Sequence, residues 1–345
     1  MILKIVDNID TSQYEKFLNC NTHSTFYHSK KHLVFLEKIL ACKSKFIIMK
    51  DKNEIKGVLP FFLKKTKYGN VVNSLPFFGS YGGLIAKDDK IIKQLLEKLN
   101  KFNEDNKVIS SVIISNPFDS KKRVYEDFFI FNTKQERIIQ CLKLENKSEE
   151  EIWDGFEQRV RRSIRKGLKN KIEVKTEILD KYTLKCFYKM HKKNMMDRGG
   201  SVKPYSFFEN LNNSFSQGKD FDIFIALHEN RIIAFLLVFY FDSFVEYYMP
   251  AYDDNYSNLQ GTSLLIWESI KTALRKKIKM YNFGGTGKNQ TSLYKFKRGW
   301  NSQDFFYNYY IFRDLERLQK IGMNKIKNHF ENFFVCDYAE INITS

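Results

Sequence analysis

Tyr281-Asn282-Phe283-Gly284-Gly285-Thr286-Gly287, followed within ten residues by Tyr294-Lys295-Phe296-Lys297-Arg298-Gly299-Trp300, reads as a strand end opening into a ligand site. The lead-in Ile278 to Tyr281 suits a short strand. The three glycines at 284, 285 and 287 let the backbone turn sharply and approach a ligand without Cβ obstruction. Lys295, Lys297 and Arg298 then place fixed positive charge beside Tyr294, Phe296 and Trp300, a mixture suited to a phosphate with an attached ring or chain. Gly284, Gly285, Thr286, Lys297 and Arg298 are therefore expected to contact a donor or substrate.

Working outward, Asp222 to His228, Ile232 to Phe241 and Phe244 to Met249 are three strand signals separated by polar turns, which favours an antiparallel meander. The polar segment Tyr252 to Asn258 precedes a helix opening near Leu259. The order is strand, strand, strand, loop, helix, strand, glycine turn.

That order, with those residues, resembles the second half of the Fem-type peptidoglycan-bridge aminoacyltransferases and their relatives in the GNAT acyltransferase superfamily. GNAT enzymes carry a loop of Gln or Arg, two residues, Gly, one residue, then Gly or Ala before their central helix, and its backbone N–H groups hold the donor's pyrophosphate. Asn258-Leu259-Gln260-Gly261-Thr262-Ser263 keeps the Gly and a small final residue, with Asn258 in the first position. Phe283-Gly284 and Phe296-Lys297 match the closing strand and the Phe-Lys pair of Fem-type proteins, with Asn282 in place of an acid. The resemblance covers roughly residues 150 to 312. It implies an α+β fold of tandem GNAT-like domains, each a mixed, mostly antiparallel sheet flanked by helices, and donor contacts at Gly261 and Thr262.

The first half looks like a diverged copy. Lys45 to Lys50, a polar turn, Ile55 to Leu63, a loop through Leu75 to Leu84, a helix over Ile91 to Phe102 and a strand over Val108 to Ser115 repeat the pattern about 175 residues earlier. In the resembling family, segments like Leu75 to Leu84 border the acceptor, which marks Tyr81 and Gly82 as substrate contacts; a tight hairpin turn is the alternative. With 345 residues, two domains are expected, 1–147 and 148–345, the second closed by a docking helix over Arg313 to Phe334 that Gly322 weakens.

The formal charge of +17 points to a polyanionic partner or to inward steering of negatively charged donors. Charge concentrates after Ser148: Glu149, Glu150 and Glu151 suit a helix start, and Arg159, Arg161, Arg162, Arg165, Lys166, Lys169 and Lys171 follow without an acid among them. Ile152, Phe156, Val160, Ile164 and Leu168 predict one apolar stripe with the arginines on its flanks. Four arginines in seven residues of a lysine-rich chain suggest bidentate phosphate contact. Arg162-Ser163-Ile164-Arg165-Lys166-Gly167 resembles the family's Arg-rich helix, and Arg162 and Arg165 are assigned to anion binding, on an acceptor nucleotide or a donor RNA.

Five scattered cysteines without CxxC spacing read as reduced structural thiols, and the cluster His23, His28 and His32 as a solvated loop and helix start rather than a metal site. No apolar stretch is long enough to span a bilayer, and Met1 to Asp7 lacks the features of a signal peptide, so the expected location is the cytoplasm, with transient membrane-surface contact left open.

In GNAT-type transfer the acceptor amine attacks the donor ester or thioester directly, so positioning, oxyanion stabilisation and a proton route suffice. Tyr248, on the strand Glu246-Tyr247-Tyr248-Met249, and Lys295 are the expected catalytic residues; Glu246 and Tyr248 should share a face. Asp253 and Asp254 read as turn residues, and His191, at a helix C-terminus, as a favoured cation. The leading expectation is an acyltransferase acting on an amine of a cell-envelope precursor such as a peptidoglycan peptide or nucleotide-linked sugar. It needs no permanently bound cofactor and takes aminoacyl-tRNA or acyl-CoA as co-substrate, so tRNA stands among the expected partners. An acyl-CoA-dependent N-acetyltransferase of a small amine or sugar, and a basic RNA-binding protein on a decayed scaffold, are the alternatives.

Overall fold

A computed structural model describes residues 1–77, 81–118, 122–176, 179–287 and 289–336. The chain forms two compact units, Met1–Ile138 with Phe305–Ser345, and Ile139–Asp304.

The first unit opens with β1 (Ile2–Val6), α1 (Thr11–Asn19) and α2 (Lys30–Leu40), followed by β2 (Ser44–Asp51), β3 (Glu54–Thr66), β4 (Gly69–Asn73), the short β5 (Ile85–Ala86), α3 (Asp89–Asp105), β6 (Val108–Ile114) and α4 (Lys122–Phe128). β1 to β4 pair antiparallel in sequence order, and β4 runs parallel to β6. The apolar face of α3, Ile91, Ile92, Leu95, Leu96 and Leu99, is buried against this sheet, and Asp88 caps its start by accepting from Ile91 N–H.

β7 (Thr133–Lys143) carries the chain into the second unit, which comprises α5 (Glu149–Gly155), α6 (Gln158–Lys169), β8 (Glu173–Thr176), α7 (Lys181–Asp197), α8 (Tyr205–Glu209), α9 (Leu211–Ser214), β9 (Phe221–His228), β10 (Arg231–Phe241), β11 (Phe244–Tyr252), α10 (Gly261–Arg275), β12 (Met280–Thr286) and α11 (Thr291–Arg298). β8, β9, β10 and β11 pair antiparallel in order, and β11 runs parallel to β12. The plan of the first unit is thus repeated, with α10 as the counterpart of α3. β13 (Gln303–Arg313) leads back to the first unit, where it pairs antiparallel with β6, and α12 (Leu315–Ile321) and α13 (Met323–His329) follow, separated by Gly322 at φ +84°. The fold is α+β with mixed sheets flanked by helices, as expected.

Several local readings change. The stripe beginning at Ile152 lies on two helices, because Phe156 and Glu157 leave helical geometry between α5 and α6. Ile152, Phe156, Val160 and Ile164 are buried, but Leu168 is 56% exposed. A repeat of four drifts about 40° per step around a helix of 3.6 residues per turn, so its last member rotates out of the core. The expected glycine turn is strand: Gly284 and Gly285 lie within β12, and only Gly284 has positive φ, +75°. His28 and His32 are buried rather than solvated, and no metal-binding cluster occurs among the described residues. Among those residues no helix is long and apolar enough to cross a membrane.

Candidate active site

The two parallel strands of the second unit part company. Phe244, Val245 and Glu246 pair with Met280, Tyr281 and Asn282, but β11 continues to Tyr252 and β12 to Thr286 without pairing each other further. Gly284 turns β12 where the parting begins, and a register shift in the β10/β11 pairing between Leu237 and Val238 leaves Tyr248 as an unpaired bulge residue on β11. Such a bulge re-aims its side chain. The result is a fork whose base is Glu246 and Asn282.

Both residues at the base are buried, and Asn282 holds them together: its Nδ2 donates to Glu246 Oε2 at 2.8 Å while its Oδ1 accepts from Gly284 N–H at 2.8 Å. One prong bears Lys297. Its Nζ donates to Gly284 O at 2.9 Å, Gly285 O at 2.8 Å and Thr286 Oγ1 at 3.0 Å, and Thr286 in turn donates to Gln140 Oε1 at 3.1 Å. Three oxygen acceptors match the three protons of an ammonium. Burial nevertheless pushes Lys297 down to about 7, so it is not the fixed surface charge that the sequence suggests. Packing explains its direction. Trp300, one helical turn on, is buried against Phe156 and Phe283, with ring centres 5.1 and 6.1 Å apart, and this anchors the end of α11 so that Lys297 faces the fork. Lys295 lies about 200° around α11 from Lys297 at 100° per residue and is exposed, as is Arg298.

Exposed Lys295 and Arg298 nevertheless adjoin the arginine-rich helix. Arg159 donates to Lys295 O, and Glu157 N–H donates to Gly299 O at 2.9 Å, tying the start of α6 to the end of α11. Two basic motifs more than a hundred residues apart in sequence thus meet on one face. Arg162, Lys166 and Lys169 are exposed and form no ion pair with a described carboxylate, while Arg165 lies over the Trp153 ring at 5.4 Å. On its inner side, α6 crosses the start of α10: a Cβ on Gly167 would sit 3.3 Å from Gln260 O. α10 starts at Gly261 after Gln260 at φ +65°, with no side chain capping its first turn, so the first-turn N–H groups, including that of Thr262, are a positive helix end beside a basic helix. Gly261 itself is buried against Ile233 and Ala226, which a Cβ would meet at 3.1 and 3.3 Å.

The other prong faces α7. Asn194 bridges to β11 through two hydrogen bonds with the Tyr252 backbone, 2.8 and 2.9 Å. Lys203, in the loop after α7, places Nζ 5.3 Å from the Phe207 ring and 5.6 Å from the Tyr248 ring, two rings stacked at an interplanar angle of 2°. Burial lowers Lys203 to about 7 and, with the Lys203 charge as a second cause, His191 to about 4. His191 is therefore neutral at physiological pH, not the helix-end cation expected; its Nε2 accepts from Lys203 N–H at 3.1 Å. Burial, with the Glu246 charge behind it, raises the Tyr248 hydroxyl well above its usual range, so Tyr248 holds its proton. Lys203, Glu246 and Gln140 were not singled out as site residues in the sequence. A lone lysine between Val202 and Pro204 carries no motif, and Gln140 becomes visible only once β7 lies beside β12.

Tyr81 and Gly82 belong to the first unit. Tyr81 is fully buried, with its ring 4.8 Å from Tyr27, and a Cβ on Gly82, at φ +105°, would collide with the His28 ring. Phe78, Gly79 and Ser80 of the same stretch lie outside the described residues.

Residues 155–298 match the family model described as acetyltransferase (GNAT) domain. No curated protein matches the sequence. Among solved structures, the crystal structure of FemX aligns with a TM-score of 0.71 at 15% identity, covering 90% of this chain and 97% of that one. The fold is that of the tandem GNAT acyltransferases. A tandem GNAT protein from the clavulanic acid biosynthesis pathway aligns at TM-score 0.55 and 11% identity over 89% of this chain and 98% of that one. L-PGS from Bacillus licheniformis aligns at 0.56 and 13%, over 94% and 98%. At these identities the likeness to solved structures is one of fold. Together with the domain match it places the protein among the acyltransferases, in keeping with the Fem-type resemblance read from Phe283-Gly284 and Phe296-Lys297.

Proposed function

We propose that the protein moves an acyl or aminoacyl group from an activated, polyanionic donor to an amine acceptor at the fork of the second unit, by direct attack and without a covalent enzyme intermediate. The observation that carries this reading is Lys297: a buried cation held by three oxygens of the strand that parts from its parallel neighbour. The acceptor amine attacks the donor carbonyl carbon; the C–N bond forms as negative charge moves onto the carbonyl oxygen. The Lys297 ammonium stabilises that charge in a site of low dielectric. Collapse expels the donor's alkoxide or thiolate, and Tyr248, protonated in the fork, supplies the proton to it. The attacking nitrogen gives up its proton to the Glu246 carboxylate, which returns it through solvent to the Tyr248 phenolate left by expulsion of the donor group.

The donor's phosphates rest on the face formed by Arg162, Arg165, Lys166, Lys295 and Arg298 and on the open first turn of α10 at Gly261 and Thr262. The breadth of this face favours aminoacyl-tRNA as donor, whereas the uncapped start of α10 suits the pyrophosphate of an acyl-CoA equally well. FemX and L-PGS, similar in fold, suggest a cell-envelope acceptor, a peptidoglycan peptide, nucleotide-linked sugar or lipid headgroup, reached from the cytoplasm with transient contact at the membrane surface. Lys203 and His191 line its side of the fork.

Transfer from radiolabelled aminoacyl-tRNA and acyl-CoA to nucleotide-linked cell-wall precursors, in separate reactions, tests the reading. Product from tRNA that withstands moderate salt supports it, product from acyl-CoA alone reassigns the donor, and no transfer or thermal shift with either donor class refutes it.

A further inference from the structure

The first unit contains a second fork of the same construction. β4 and β6 pair in parallel as far as Asn73 and Val112, and Asn73 stands where Glu246 stands in the second unit, in the last paired position. The sheet face at its base is covered by the chain itself. The Asn73 side chain accepts from Phe334 N–H at 2.8 Å and donates to Phe334 O at 2.9 Å, two bonds that imitate a neighbouring strand. Ser110 Oγ donates to Val335 O at 2.6 Å, and Phe77 N–H donates to Asn332 O at 2.9 Å. Phe333, Val335 and Cys336 are fully buried, and the Phe334 ring meets Tyr309 edge-on at 5.3 Å.

We infer that the sheet face at the base of this fork is a binding groove for a short apolar peptide, and that its occupant is the chain's own segment Asn332–Cys336. Every polar contact just described reaches the backbone of that segment, while side chains 333 and 335 supply the apolar filling at strand spacing. The groove thus reads backbone groups and apolar residues two apart rather than a particular sequence. Resting on the function proposed above, the consequence is that one fork is open among the described residues and the chain binds one donor.

Hydrogen exchange followed by mass spectrometry on the full-length chain tests the groove without reference to activity. Amides of 333–336 should exchange at least tenfold more slowly than in an isolated peptide of that sequence, and Asn73→Ala should accelerate them while the second unit is unaffected. Random-coil exchange across 333–336 in the unmodified chain, or no change in Asn73→Ala, overturns the proposal. A chain ending at Glu331 should melt at lower temperature and regain stability with a synthetic peptide of residues 332–336, but not with the same peptide carrying Asp at both apolar positions. If that truncation does not fold, exchange in full-length Asn73→Ala decides. Donor stoichiometry is read separately by native mass spectrometry: one per chain agrees, two per chain overturns the single-fork consequence while leaving the groove intact, and none at all counts against the proposed function alone.

Discussion

Two forks of one design have been put to different use, and what separates them is a handful of polar residues. In the first unit Asn73 and Ser110, on paired strands at the base of the fork, hold the backbone of the tail, and Phe333, Val335 and Cys336 are buried. In the second, Asn282 bonds Glu246, and Thr286 bonds both Gln140 and Lys297, leaving a polar fork that carries a titratable cation. A parallel pair that splays presents unpaired backbone on both prongs, and those groups must be satisfied somewhere. In the first unit the tail takes up one of them permanently, Phe77 N–H through Asn332 O. A side-chain network together with substrate does so reversibly, and that difference separates a scaffold from a reaction centre.

The largest effect expected from breaking this contrast is at Lys297. Lys297→Met should lower turnover by about a hundredfold to a thousandfold, the range for loss of one group that stabilises an oxyanion, with circular dichroism unchanged. Asn73→Ala should leave turnover within about twofold and instead cost roughly 1–3 kcal/mol in denaturant unfolding, because the half-buried backbone groups of Phe334 lose their partner. Equal turnover losses in the two variants would end the distinction between the forks.

The pH dependence follows from burial. Lys297 titrates at about 7 in the folded protein, so the charged form whose field stabilises an oxyanion is lost as pH rises through 7, and kcat should fall above it. Lys297→Arg, whose guanidinium stays charged, should carry lower activity but lose that descending limb. The stability consequence has its own sign. The folded pKa is depressed below 10.5, so between about 7 and 10.5 the unfolded chain binds more protons and stability rises with pH; Lys297→Met should flatten that rise. A kcat profile unchanged in Lys297→Arg would remove Lys297 from the proton chemistry.

Much of this was legible beforehand. The strand and helix order, the repeated plan and the family resemblance followed from Asp222 to Met249, from the glycines of β12 and from Phe296-Lys297, because alternation and glycine placement are local signals. The roles within the Lys295 to Arg298 run were not legible. Which of three cations turns inward depends on Trp300 packing against Phe156 and Phe283, contacts between residues far apart in sequence. For the same reason His191 reads as a helix-end cation until Phe208 and the backbone of Lys203 enclose it. The tail in the first fork is invisible in sequence, since Asn73 and Phe334 carry no motif.

Gly284 gives a smaller, more local test. Its φ is +75°, and a Cβ there would find nothing nearer than Tyr247 O at 4.0 Å, so space does not forbid a side chain and only backbone conformation does. Gly284→Ala should therefore cost about 1–2 kcal/mol of stability. Gly284→Asn should recover part of it, since Asn enters the left-handed region more readily. A Gly284→Asn variant as unstable as Gly284→Ala would mean that the carbonyl received by Lys297, not the backbone angle, sets the cost.

The weakest effects belong to the outer face of α6, where donor contact and packing can be told apart. Arg162→Ala should raise donor KM severalfold with kcat unchanged and reduce the slope of log KM against log salt by about one, the mark of a single lost phosphate contact. Leu168, exposed on the same helix although it continues the apolar spacing, should behave unlike its neighbour Ile164. Ile164→Ala empties a buried position and should cost about 2–5 kcal/mol, whereas Leu168→Lys should change stability by no more than about 0.5 kcal/mol. If phosphate-bearing donor passes over this face, the added cation should lower donor KM slightly at low salt and not at high salt. A rise in KM instead would mean that Leu168 meets the donor through its apolar surface, and that the face reads more than charge.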